Sequence, residues 1–191
     1  MEWILASASP RRKELLAELI EKFEIIPARG EERADGGLSP EEMVKTLAEQ
    51  KATEVAALPE AKGKAVLGSD TVVVLEGEVL GKPRDKEDAA RMLRALSGRV
   101  HEVLTGVCIV YPCKGGASKI TAAACTKVHF YPLTEEKIAA YVATGSPMDK
   151  AGAYGIQDGG LVEKIDGSFS NVVGLPLELC KELIDEIKTS V

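Results

Sequence analysis

Residues Ala65 to Leu80 read AVLGSDTVVVLEGEVL, and this stretch does most to fix the fold. Eleven residues that are largely apolar, several of them β-branched, predict a mostly buried strand. The Glu76-Gly77 pair then predicts a hairpin turn, with a returning strand after it. Asp70 is the anomaly. A carboxylate inside such a strand is expensive to bury without a cation, a donor network or a chemical task. A carboxylate satisfied by a lysine or by backbone is the plain alternative.

The rest of the chain alternates helical and extended signals. Trp3 to Ala6 reads as a short buried strand, and Phe23 to Pro27 as a second. Between them Ser9 and Pro10 suit a helix start, and Leu15, Leu16, Leu19, Ile20 and Phe23 recur at helical spacing. Ser39, Pro40 and Glu42 form a capping box, ahead of a helix whose inner face is Val44, Leu47, Ala48, Ala52 and Val55. Asp85 caps a helix that stops at Gly98. Val100 to Tyr111 and Lys119 to Phe130 predict two strands around a PCKGGAS hairpin. Thr134 opens a helix closed by Gly145, and Pro176 opens the last one. Interleaved helices and strands with at least two antiparallel hairpins define a mixed α/β class.

At 191 residues, 45% hydrophobic and 28% charged, the chain suits one domain or two lobes about a cleft. A formal charge of -6 and 4% aromatic residues argue against a nucleic-acid binder, while leaving room for a local cationic pocket. The four cysteines form no CxxC pair and only His101 and His129 could join them, so a zinc cluster is not expected. Thiols without a pairing pattern, no leader and no apolar span predict a cytoplasmic protein with no membrane association.

Chemistry concentrates in three places. In ASASPRR, Ser7, Ser9, Arg11 and Arg12 lie where a strand hands over to a helix. Unpaired N–H groups, hydroxyls and guanidinium forks there suit a phosphate, although a plain capped helix has the same sequence. Lys82 follows the hairpin, which returns it toward Asp70. Lys51 shares a helix face with Leu47, Ala48 and Ala52, as a phosphate contact or a stem lying along the core. In DKAGAYGIQDGG, Gln157 sits among glycines and offers an amide that can read a base edge.

Taken together, LASASPRR, LAEQKA, SDTVV, GKPRD, LSGRVHEVLTGV, DKAGAYGIQ and NVVGLPL resemble, in order, the motifs of the Maf family of nucleoside triphosphate pyrophosphatases. The resemblance implies a single Maf-like domain over residues 1–191. Its fold would be a mixed twisted sheet with flanking helices and two lobes around a cleft, related to the inosine triphosphate pyrophosphatases. It makes Asp70 the proton acceptor. Ser7, Arg12, Glu32, Lys51 and Lys82 match other polar pocket positions, and Arg11, Thr71 and Gln157 match those linked to base choice. That set resembles the dTTP/UTP branch rather than the 7-methyl-GTP branch. Glu32 and Asp70 are expected to hold a divalent cation, magnesium or manganese, and the family often forms homodimers. Two residues depart from the pattern: Ser69 replaces a common alanine, and Asp158 stands where glycine is expected. A nucleotide-binding regulator of cell division that acts without hydrolysis, and a nucleotidyltransferase, are the alternative activities.

Overall fold

The computed structural model describes residues 1–31, 33–34 and 36–190, with Ser190 described by its backbone alone. Its strands are β1 (Trp3–Leu5), β2 (Glu24–Ile25), β3 (Ala65–Leu75), β4 (Glu78–Leu80), β5 (Val100–Cys113), β6 (Gly116–Phe130) and β7 (Val162–Asp166). Its α-helices are α1 (Pro10–Ala17), α2 (Pro40–Ala56), α3 (Lys86–Leu96), α4 (Glu135–Ala143), α5 (Phe169–Val173) and α6 (Leu177–Ser190). The strands form one seven-stranded sheet in the order β2-β1-β3-β5-β6-β7, with β4 beside β3. The chain divides into two compact units. The first comprises Met1–Asp70, Thr105–Ala124 and the chain from Gly174 on; the second comprises Thr71–Leu104 and Cys125–Val173.

In the first unit β1 runs parallel to both β2 and β3, and β1 and the Ala65–Asp70 part of β3 are buried on both faces. Successive side chains alternate sides. Trp3, Leu5, Ala65, Leu67, Val107 and Ile109 pack against Leu16 of α1 and Cys180, Leu183, Ile184 and Ile187 of α6. Ile4, Ala6 and Val66 face the other way, toward Val55 of α2, and Cys108 meets Ala48 and Ala52 of the same helix. Here α2 comes down until its backbone touches the strands. A Cβ on Gly68 would lie 2.4 Å from the Ala48 carbonyl oxygen, and one on Gly106 would lie 2.2 Å from that of Val44. Only glycine permits this approach, because the obstructing atoms are helix backbone that no rotamer change can move.

The second unit has its own core. Val73, Leu75 and Leu80 from the β3–β4 hairpin join Met92, Leu93 and Leu96 of α3 and Ile138 and Val142 of α4. Glu76 (φ 52°) and Gly77 (φ 86°) both adopt the left-handed conformation that a two-residue turn between right-twisted strands requires. Inside this core the rings of His101, Phe130 and Tyr154 meet edge to face. His101 Nε2 shares a 2.7 Å hydrogen bond with the Tyr154 hydroxyl, and Nδ1 is buried without a partner among the described residues. Burial drives the histidine pKa from 6.5 down to about 4, with a smaller contribution from His129.

Most expected elements are present with their caps. Ser9 accepts from the Arg12 N–H, the Ser39–Glu42 capping box is complete, and Asp85 and Thr134 cap α3 and α4. Three points differ. Helix α1 ends at Ala17, and Leu19, Ile20 and Phe23 reach the same core beyond it, so their spacing records burial rather than helix length. The β5–β6 hairpin is tighter than expected, with only Lys114 and Gly115 between the strands. Strand β7 and helix α5 carry no clear apolar period; β7 is held by backbone pairing to β6, Val128 opposite Ile165 and His129 opposite Lys164.

Two outcomes follow from this packing. Gly106→Ala lowers stability by about 1–3 kcal/mol, read as a shifted urea midpoint with unchanged slope. His101 is neutral in the folded state and takes up its proton more readily when unfolded, so its contribution is complete above about pH 6.5 and is lost as pH falls toward its folded value. The loss approaches about 3 kcal/mol. Comparing urea midpoints near pH 7 and near pH 4.5 in wild type and His101→Gln checks it: the variant's midpoint moves less.

Candidate active site

The register of the first unit assembles the candidate site. Leu5 pairs with Leu67, so Ser7 to Ser9 and Asp70 both lie just past that pair, at the carboxyl end of β1. Ligands in open α/β sheets bind at such strand ends. Asp70 falls on the same strand face as Gly68, the face covered by α2, because the two are separated by one full pleat. Lys51 belongs to the stripe of α2 that includes Val44, Ala48, Ala52 and Val55. Helix and strand touch at Gly68, and so Lys51 Nζ reaches Asp70 Oδ1 at 2.6 Å, with the two side chains 15% and 12% exposed. Among the described residues Oδ2 of Asp70 has no hydrogen-bond partner.

On the opposite strand face a second group forms around one carbonyl. Gly174 O accepts from Arg12 Nε at 2.8 Å and from the Ser69 hydroxyl at 3.3 Å. Arg12 Nη1 also reaches Ser7 Oγ at 3.5 Å, and that oxygen accepts the Ser9 N–H at 3.2 Å. Ser9 Oγ is committed to capping α1. Ser7 is buried and Arg11 and Arg12 are half-buried. The corner therefore holds cations against a frame of backbone and hydroxyl groups.

The loop before α2 is fastened to that helix on both sides of residue 32. Glu54 accepts the N–H groups of Arg29 (2.7 Å) and Gly30 (3.0 Å), and Gln50 bonds both the N–H and the carbonyl of Arg33. Glu32 itself, expected to be a metal ligand, lies outside the described residues.

Thr71, Lys82 and Gln157 belong to the second unit. Extending the β3–β4 register, in which Val73 faces Leu80, brings the exposed Lys82 level with Thr71, the residue after Asp70. The loop after β4 is tied to the glycine segment by a 3.0 Å bond from Gly152 N to Gly81 O. Gln157 is exposed, in a single turn of 3₁₀-helix at Ile156–Asp158, and has no hydrogen-bond partner among the described residues.

Sequence reasoning missed Ser69, Gly174, Gln50 and Glu54 as contributors. Ser69 departs from the family pattern, and its hydroxyl has a structural task. The Gly174 carbonyl is a backbone atom, which no pattern of residue types reveals. The remaining bonds join residues far apart in sequence.

A mixed α/β sheet with these strand ends is also the fold of Ham1 proteins. The chain superposes on the Ham1 structure from Coxiella burnetii with a TM-score of 0.56 at 16% identity, covering 97% of this chain and 99% of that one. The Staphylococcus aureus Ham1 structure gives 0.53 at 15% identity, with the same coverage. Within that class of fold, the chain belongs to the Maf family, matching the description Maf-like protein over residues 2–187. Curated relatives named dTTP/UTP pyrophosphatase include those of Bacillus velezensis, 54% identical over 91% of this chain and 90% of the relative, and Thermococcus gammatolerans, 50% identical over 94% of each. A third, from Geobacter metallireducens, is 49% identical over 97% of this chain and 94% of its own length.

The Lys51–Asp70 pair makes a specific prediction. In the protein without nucleotide, Lys51→Met leaves a mostly buried carboxylate unpaired and costs about 1–2 kcal/mol, less than for a fully enclosed pair because some solvent reaches it. Adding Asp70→Asn recovers at least half of that loss. Urea unfolding of the single and double variants measures both.

Proposed function

We propose that this protein is a nucleoside triphosphate pyrophosphatase acting on dTTP and UTP, cutting between the α and β phosphates to give the monophosphate and pyrophosphate. The observation that carries the proposal is the Lys51–Asp70 pair in the middle of β3: a mostly buried carboxylate bonded to a cation, in a chain about half identical to relatives bearing that name. The match over residues 2–187 supports reading residues 1–191 as one functional domain.

Asp70 is the proton acceptor for the water that attacks the α-phosphorus. Lys51 is bonded to Oδ1 and so fixes the direction of the carboxylate, leaving Oδ2 for that water or for a cation. Arg12, Ser7 and the first turn of α1 offer donors for phosphate oxygens, with Arg11 beside them. By the resemblance Lys82 is a polar pocket residue, here assigned to the phosphates, and Arg11, Thr71 and Gln157 take part in the choice of base. The amide of Gln157 complements the N3–H and carbonyl edge of uracil or thymine.

The donor set suits a hard divalent cation. Asp70 supplies a carboxylate oxygen, Glu32 is the second ligand by resemblance, and no group of three metal-ligating side chains occurs among the described residues. Substrate phosphates and water would complete the shell, as is usual for magnesium or manganese. Such an ion, when bound, supplies charge neutralisation at the phosphates. No described helix is long and apolar enough to cross a membrane.

Asp70→Asn is expected to lower pyrophosphate release from UTP by at least about 100-fold while nucleotide binding stays measurable by calorimetry. Near-normal turnover removes Asp70 from the base role. Nucleotide binding with no pyrophosphate release by the wild-type protein, with magnesium or manganese supplied, favours a regulator that works without hydrolysis.

A further inference from the structure

Asp158 is the residue whose charge looks out of place beside a base-reading glutamine. Its surroundings give that charge a use. The turn carrying Gln157 is weakly built: its own backbone bonds are Asp158 N to Gly155 O at 3.1 Å and Gly159 N to Ile156 O at 3.4 Å. One turn of 3₁₀-helix with such bonds does not hold a side chain in one direction.

The turn is clamped from outside by side-chain bonds. Asp158 Oδ2 accepts from the Tyr141 hydroxyl at 2.5 Å and from the Ser146 hydroxyl at 2.6 Å. The same Tyr141 oxygen accepts the Gly155 N–H at 3.0 Å. Residues 155 and 158 bracket Gln157, so both ends of its turn are bonded to one tyrosine on α4. Lys150 closes the back: its Nζ donates to Ser146 O at 2.6 Å, to Ser146 Oγ at 3.0 Å and to Asp149. Its stem packs so tightly that a Cβ on Gly155 would come within 2.8 Å of Cε and 3.1 Å of Asp158 Oδ2. Burial and the neighbouring Asp158 carboxylate push the Tyr141 phenol up to about 12, so it remains a donor across the working pH range.

We infer that Asp158 is a positioning residue for base selection: through Tyr141 and Ser146 it locks the turn that aims Gln157. The carboxylate is turned toward these hydroxyls and acts as an acceptor of fixed geometry. This rests on the reading of Gln157 as the group that meets the base. It makes base preference depend on two residues, Tyr141 and Ser146, that need not touch the nucleotide.

Two measurements on the full-length protein test it. Hydrogen–deuterium exchange of residues 155–159 without nucleotide reads the clamp. Pyrophosphate release from UTP, dTTP, CTP and GTP, as kcat/KM ratios, reads the consequence. Asp158→Ala and Tyr141→Phe are expected to speed exchange in this segment and to reduce the UTP-over-CTP preference by about tenfold, approaching Gln157→Ala. The change falls mainly in KM for the preferred bases. Asp158→Asn keeps an acceptor oxygen for both hydroxyls and is expected to stay within about twofold of wild type. Unchanged exchange in Tyr141→Phe and Asp158→Ala overturns the clamp. Asp158→Asn behaving like Asp158→Ala, with Tyr141→Phe normal, also overturns it and assigns the effect to charge. If exchange quickens but Gln157→Ala keeps the wild-type preference, the clamp stands and the base-reading role of Gln157 fails.

Discussion

Helix α2 lies against β3 and β5 with no side chain between backbone and backbone at two points, Gly68 under Ala48 and Gly106 under Val44. The small side chains of Ala48 and Ala52, packed with Cys108, complete the contact. The rest of the first unit is arranged around this approach. It sets the height of α2 above the sheet, and the helical stripe then carries Lys51 to Asp70, one pleat beyond Gly68. A larger residue at either glycine would lift the helix by more than a hydrogen bond can stretch, and the charge pair would part. The placement of the central carboxylate thus depends on atoms that are missing from two residues.

The opposite face of the same strands is organised by one carbonyl group. Gly174 O takes a guanidinium N–H from Arg12 and a hydroxyl from Ser69, joining the start of the chain, its middle and the segment before α6. Arg12 donates to this carbonyl through Nε and reaches Ser7 through Nη1. A protein with a formal charge of -6 can in this way hold a local cluster of cations without becoming a general polyanion binder.

The second unit shows a related economy with polar groups. His101 Nε2 and the Tyr154 hydroxyl bond one another within an apolar core, and Tyr141, Ser146, Lys150 and Asp158 close around the turn that carries Gln157. In both groups an aromatic hydroxyl fixes a segment rich in glycine, whose backbone is otherwise free to take many conformations. Rigidity comes from the side-chain bonds, and the glycines allow the chain to pass close to its neighbours.

Local signals in the sequence determined the elements and their ends. The Ser39 box, the Ser9-Pro10 start, the Asp85 cap and the Glu76-Gly77 turn act over four residues or fewer, so residue type alone specifies them. The order of motifs likewise marked Ser7, Arg12, Lys51 and Asp70 as members of one group. Tertiary structure decided what each group touches. Ser69 and Gly174 meet across a separation of 105 residues, β7 is a strand because β6 offers it a backbone edge, and the Asp158 carboxylate turns to hydroxyls on another element. Contacts of that kind arise from how whole elements pack, and packing is a property of the assembled surfaces rather than of any short run of residues.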